Sequence, residues 1–206
     1  GTVLKLSTKT GYTEYTISRE LARGCSCIVY DASYTDNLGN YKLVRIKECY
    51  PYALKMTRDE DGTLHPSADD GKAFDAAKKR LIAAYQKNNA LFSLEGLANV
   101  IANTSDIYEA NGTVYIVSVY MNGRTFTEHQ GDTLHDCVSL LIGAAKALRH
   151  IHNAGYLYLD LKPDNILTLE GSLDLVQLFD FDSIISTEEF EKALQNNNPS
   201  ELRISY

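Results

Sequence analysis

The chain is short of cysteine, of net positive charge and of long apolar runs, and each shortage removes a class of function. Its four cysteines, Cys25, Cys27, Cys49 and Cys137, lack the paired spacing of a zinc site and are too few for a disulfide scaffold. They read as reduced thiols. No apolar stretch approaches the roughly 20 residues that cross a bilayer, and the segment from Gly1 lacks the charged and apolar regions of a signal peptide. We therefore expect no membrane contact in this chain and a cytoplasmic setting. Lysine and arginine number 20 against 27 aspartates and glutamates, a formal net charge of −7, so the summed field repels nucleic acid and anionic lipid. A phosphate-bearing ligand then needs a local site. Internal repeats and low-complexity tracts are missing as well; Asn196-Asn197-Asn198 is too short to count.

What is present is ordinary globular material: 206 residues, 44 % hydrophobic and 23 % charged, enough for one substantial core or two small lobes. β-Branched and aromatic residues between turn signals predict strands over 13–17, 27–32 and 41–47, the last two joined by the turn Asp36-Asn37-Leu38-Gly39-Asn40. The polar stretch 55–71 reads as a mobile loop. An amphipathic helix follows over 72–92, with Phe74, Ala77, Leu81, Ala84, Tyr85 and Leu91 near one face and no carboxylate after Asp75. The turn Ala110-Asn111-Gly112 lies between strands at 107–109 and 114–120, and Met121-Asn122-Gly123 reads as a linker. Helical patterns at 134–142 and 144–152 and short strands near Ile166-Leu167 and 175–179 complete the chain. Composition thus shifts from strand-rich to helix-rich near Asn122.

Asp160, Lys162, Asn165 and Asp180 are polar yet stand between apolar runs that read as buried. Polar groups brought together in that way suggest a site, because burying them unpaired is costly; Asp, Asn and Pro are also common turn formers, and that reading stays open.

Tyr158-Leu159-Asp160-Leu161-Lys162-Pro163-Asp164-Asn165 resembles the catalytic loop H-R-D-L-K-P-x-N of eukaryotic-type protein kinases, and Leu178-Phe179-Asp180-Phe181-Asp182 resembles the strand leading into their D-F-G. The resemblance implies an α+β, protein-kinase-like bilobal fold: an antiparallel five-stranded N-lobe sheet plus one helix over 1–121, and a partial helical C-lobe over 122–206. It also implies that Asp160 accepts or orients the substrate hydroxyl proton and that Lys162 steadies the transferring phosphate. Asn165 and Asp180 would hold Mg²⁺, with Phe181 packing inward. The Lys-Pro spacing resembles serine/threonine kinases, bacterial-looking ones, more than tyrosine kinases. Val44-Arg45-Ile46-Lys47 resembles V-A-I-K, which would place Lys47 on the α- and β-phosphates of ATP, although a lone strand-end lysine is usually solvated. Ala22, Gly24, Ser26 and Val29 fall in a segment similar to the glycine-rich phosphate loop, with Ala22 and Cys27 at its outer glycine positions. Ser118 aligns with the residue behind the adenine pocket, where a bland strand serine is the alternative, and Val119 to Met121 would supply backbone contacts to adenine.

The chain departs from the family in places. Counted back from Asn99-Val100-Ile101, the helix position that normally carries the glutamate partner of the strand lysine falls on or near Asn88, which brings no charge. Tyr158-Leu159 replaces His-Arg, so control by a phosphorylated activation segment is not expected. Asp182 replaces a glycine and would either cap the turn or help bind a second cation. Leu202-Arg203-Ile204-Ser205-Tyr206 aligns with the late activation segment, before A-P-E. The helices at 134–152 would then show uncovered apolar surface, a route to self-association. Expected partners are Mg-ATP and a protein substrate. The rival readings are a pseudokinase, an ATP-binding regulatory or scaffolding module, and, more remotely, a small-molecule kinase.

Overall fold

Leu4 and Leu6 alternate with polar residues along Thr2–Thr8 (β1), and the period of two puts Leu6 fully inside while Lys5 and Ser7 face out. This strand is one that the sequence reading did not assign. The computed structural model describes residues 2–8, 11–94, 104–129, 133–169 and 175–196. Its contacts divide the chain into two units, Gly1–Tyr85 with Thr104–Tyr120, and Gln86–Asn103 with Met121–Tyr206. The division is not a single cut near residue 121, because the last turns of the long helix pack with the second unit.

In the first unit β1 is followed by Gly11–Arg23 (β2), Cys27–Thr35 (β3), Tyr41–Cys49 (β4), Met56–Arg58 (β5), Leu64–Pro66 (β6), the helix Gly71–Phe92 (α1), Thr104–Ala110 (β7) and Thr113–Val119 (β8). The main sheet runs β1-β2-β3-β4-β8-β7, with every neighbouring pair antiparallel. It therefore has six strands, the expected five plus β1. Alternation gives it two apolar faces. Leu6, Tyr15, Ala32, Val44, Ile46, Tyr108, Tyr115 and Val117 form one core, and Cys27, Cys49, Val114 and Ile116 form the other with Phe74, Ala77 and Leu81 of α1. Asn111 (φ 49°) and Gly112 (φ 72°) are both left-handed, as a two-residue turn matched to strand twist requires.

The stretch 55–71 is a hairpin rather than a bare loop. β5 pairs with β6, Leu64 is 2 % exposed, and the Leu64 amide donates to the Asn111 carbonyl at 2.9 Å. Arg58 of β5 reaches Glu48 of β4. These long-range anchors hold strands too short to be stable by themselves.

The second unit contains the end of α1, then Gly123–Thr125 (β9), a 3₁₀ turn at Phe126–His129, Leu134–Asn153 (α2), Tyr156–Tyr158 (β10), Ile166–Leu169 (β11), Val176–Leu178 (β12), Ile184–Ser186 (β13) and Thr187–Gln195 (α3). The two helical patterns at 134–152 join as one helix through Gly143, which is buried. A reciprocal capping box starts α2: Thr133 accepts from the Asp136 amide, and Asp136 accepts from the Thr133 amide. The sheets are β12-β11-β9 and β10-β13. Leu91, Ala144, Ala147, Ile151, Tyr158, Ile166, Val176, Leu178, Phe181 and Ile184 share one core. Leu134, Val138, Leu141 and Ile142 of α2 are exposed. No helix among the described residues is long and apolar enough to cross a membrane.

Candidate functional site

The loop between β10 and β11 brings three of the sequence-selected residues together. Lys162-Pro163-Asp164-Asn165 cannot continue as a strand past the proline, and Pro163–Asn165 closes as a 3₁₀ turn with Asn165 N–H donating to the Lys162 carbonyl at 2.9 Å. The turn points both Lys162 and Asn165 back at Asp160. Lys162 Nζ donates to Asp160 Oδ2 at 2.7 Å, and Asn165 Nδ2 donates to the same oxygen at 3.0 Å and to the Asp160 carbonyl at 2.9 Å. The hydrogen bond from Lys162 to Asp160 raises the ammonium above its ordinary pKa, partial burial opposes this, and the charges of Asp160, Asp180 and Asp164 reinforce it. Lys162 is thus a cation held in a field of carboxylates.

Asp180 has a left-handed backbone (φ 64°, ψ 65°), uncommon for a residue with a side chain and the kind of strain that collects at functional sites. Two bonds to Phe179 hold the segment before it. The Phe179 amide donates to the Asn165 carbonyl at 3.2 Å, and the Phe179 carbonyl accepts from Tyr158 Oη at 2.7 Å. Phe181 is 6 % exposed, and its ring lies 5.3 Å from that of Tyr158. Asn165 and Asp180 are therefore tied through one residue's backbone. With the Asn165 amide nitrogen turned to Asp160, its amide oxygen is the atom suited to a cation, and that oxygen with the Asp180 carboxylate is a hard donor pair of the kind Mg²⁺ takes together with phosphate oxygens. Among the described residues no group of three or more His, Cys, Asp or Glu forms a metal cluster.

In the first unit Lys47 pairs across the ladders with Val29 of β3 and Ile116 of β8, on the face that α1 covers. Ala22 is exposed near the end of β2, Val29 is partly buried, and Gly24 opens the turn to β3, which includes Ser26. The Gly24 amide donates to the Cys27 carbonyl at 2.9 Å, so this N–H is already used within the turn. Tyr50 and Tyr52 amides donate to the Ser26 and Cys25 carbonyls, both at 2.9 Å, extending the β3–β4 ladder to the tip of that turn. Ser118 pairs with Arg45, Val119 is half-exposed, and Met121 opens the later of the second unit's two segments. Asn88 is buried in the second unit's part of α1. The segment Asn99-Val100-Ile101, the side chain of Asp182 and Leu202 to Tyr206 lie outside the described residues.

Two residues were missed by sequence reasoning. Glu48, next to Lys47 but on the opposite face, is 1 % exposed; it accepts from Arg58 Nη2 at 2.9 and 3.0 Å, from Tyr30 Oη at 2.8 Å and from Tyr115 Oη at 3.0 Å. For Tyr158 the sequence shows only the replacement of a histidine. A signal existed for each: a glutamate on an apolar strand face asks for a partner, and a tyrosine in a buried run needs an acceptor for its hydroxyl.

A family model for the protein kinase domain matches residues 72–198, more than half of the chain. Serine/threonine-protein kinase STE20 of Candida glabrata is 32 % identical over 130 residues, 59 % of this chain and 13 % of the relative. Serine/threonine-protein kinase MST20 of Pyricularia oryzae is 28 % identical over 107 residues, 48 % of this chain and 11 % of the relative. Among solved structures, one titled PpkA-294 apo form superposes with a TM-score of 0.67 at 25 % identity, over 93 % of this chain and 64 % of that one. The chain spans little more than a tenth of these two curated relatives.

Proposed function

The chain belongs to the protein kinase domain family, and from that membership we propose that it carries the catalytic machinery of a serine/threonine kinase, transferring the γ-phosphoryl group of Mg-ATP to protein hydroxyls. The observation that carries this reading is the meeting of Lys162 and Asn165 on one oxygen of Asp160. Both bonds fall on Oδ2, which leaves Oδ1 to accept the proton of a substrate hydroxyl and orient it for attack. Lys162, held beside that carboxylate, is placed to offset charge on the transferring phosphoryl group. Lys47 would grip the α- and β-phosphates. Asn165 Oδ1 and the Asp180 carboxylate would hold Mg²⁺, whose contribution when bound is to neutralise phosphate charge.

The test is transfer of labelled phosphate from ATP to the protein itself or a generic basic substrate. Asp160→Asn should reduce the rate by about 10²-fold or more while leaving nucleotide affinity close to unchanged. Equal rates for the variant and the parent would sink the proposal. A second reading, a module that binds ATP without transfer, draws on the Gly24 amide engaged with Cys27, because one phosphate-loop donor is then committed elsewhere. Nucleotide binding with no transfer in any context would favour it.

A further inference from the structure

We propose that Cys27 and Cys49 form an oxidative modification site, a cross-strand disulfide that staples the β2–β3 turn to the strand bearing Lys47. The two residues are direct partners in the antiparallel β3–β4 ladder. The kind of pair follows from one bond. The Tyr50 amide donates to the Ser26 carbonyl at 2.9 Å, so the residue after Cys49 bonds the residue before Cys27. That pattern flanks a non-hydrogen-bonded pair, the type in which opposed side chains lie closest, with Cα atoms about 4.5 Å apart. A disulfide accepts Cα separations of about 4.4–6.8 Å, so the backbone need not move far to admit the bond.

Both thiols lie on the α1-facing side of the sheet, in the core that contains Phe74, Ala77 and Leu81. Cys27 is 6 % exposed and Cys49 is 1 % exposed, so a small oxidant meets Cys27 first. With a peroxide, the Cys27 thiol gives a sulfenic acid and one water. Cys49 sulfur then attacks the Cys27 sulfur and the S–O bond breaks. The departing hydroxide leaves as a second water with the Cys49 proton, so two thiols and one hydrogen peroxide become one disulfide and two waters. Cys25, exposed and two residues away, is the competing thiol. Cys49 is two residues from Lys47 on the same face of β4, so closure would also fix the strand that holds this lysine; that consequence alone rests on the kinase reading.

The experiment treats the whole chain with hydrogen peroxide and maps peptides under non-reducing conditions. The expected product is a linked Cys27–Cys49 peptide, lighter than its two thiol parts by two hydrogens, lost on reduction, and formed equally in Cys25→Ser. The melting midpoint should rise by roughly 5 °C or more on oxidation and return on reduction, since the bond closes a loop of some twenty residues. Sulfinic acid at Cys27 without a link, a link through Cys25, or a link only between chains would overturn the proposal. A protein that forms the link but binds no Mg-ATP in either state would defeat the kinase reading and leave the disulfide standing.

Discussion

Replacing Glu48 by alanine should be among the most damaging single changes in the first unit. The residue is 1 % exposed, and its carboxylate takes hydrogen bonds from Arg58, Tyr30 and Tyr115. Without it, two tyrosine hydroxyls lose their acceptor, each costing about 1–1.5 kcal/mol where water cannot replace it. Tyr115 is 2 % exposed and bears the full cost, because the Asn111 Nδ2 that donates to its oxygen at 3.4 Å cannot accept its proton. The Arg58 side chain is 37 % exposed and can turn to solvent, which limits its share. The sum is about 3 kcal/mol, at the lower end of the range for breaking a buried ion pair. Urea unfolding should show it as a lower midpoint with an unchanged slope. A double-mutant cycle of Glu48→Gln with Arg58→Met should give a coupling of about 1–2 kcal/mol. A loss below about 1 kcal/mol for Glu48→Ala, with no measurable coupling, would refute the network as an energetic unit.

Tyr158→Phe removes only the hydroxyl that donates to the Phe179 carbonyl, so it should cost about 1 kcal/mol in unfolding experiments and lower phosphotransfer more than it lowers nucleotide affinity. An unchanged transfer rate would deny Tyr158 any role in placing Asp180. Gly112→Ala should destabilise by about 2 kcal/mol or more, because φ is 72° and a Cβ would collide with the Leu64 carbonyl; a shift in melting temperature within error would count against the β6 docking. Alkaline pH should unfold the first unit. Burial, then the charge of Glu48, pushes the Tyr115 hydroxyl up to about 12, and burial pushes Tyr15 and Tyr30 well above the ordinary range. Unfolded tyrosines ionise near about 10, so this contribution is whole below that pH and is lost as pH rises towards about 12. Exposed tyrosines such as Tyr12, Tyr41 and Tyr52 ionise first with the fold intact; a second rise in tyrosinate absorbance that comes only together with loss of circular dichroism would bear this out, and full ionisation of an intact fold would refute it.

The parts of the fold that were legible have strong local signals. The period of two at 27–32 and 41–47 and the left-handed pair Asn111-Gly112 are visible within a few residues, as is the 3.6-residue spacing from Phe74 to Leu81. What escaped depends on distant contacts. β5 and β6 have three residues each and exist because Arg58 meets Glu48 and Leu64 reaches the β7–β8 turn. The α3 helix had a readable start, Ser186-Thr187-Glu188-Glu189, whose reciprocal capping box the structure contains.

Under the proposed function, the same contrast separates the groups given reacting roles from the residues that place them. Accepting a proton, neutralising a phosphoryl oxygen and holding a hard cation each demand a particular functional group, so identity and spacing single out Asp160, Lys162, Asn165 and Asp180 as the candidates for those proposed roles. Holding Phe179 demands only a donor at one point, which several residue types on β10 could supply. Tyr158 does so from a buried ring that also packs on Phe181. Read as a letter, this tyrosine is a departure from the family's histidine; read as a bond, it connects the strand before Asp160 to the residue before Asp180. Substitution at such a position therefore says little about lost chemistry until the bond it makes is known. A Tyr158→His variant states the test: if imidazole can reach the Phe179 carbonyl, phosphotransfer should survive better than in Tyr158→Phe, and equal loss in both would mean that the ring packing rather than the hydrogen bond positions Asp180.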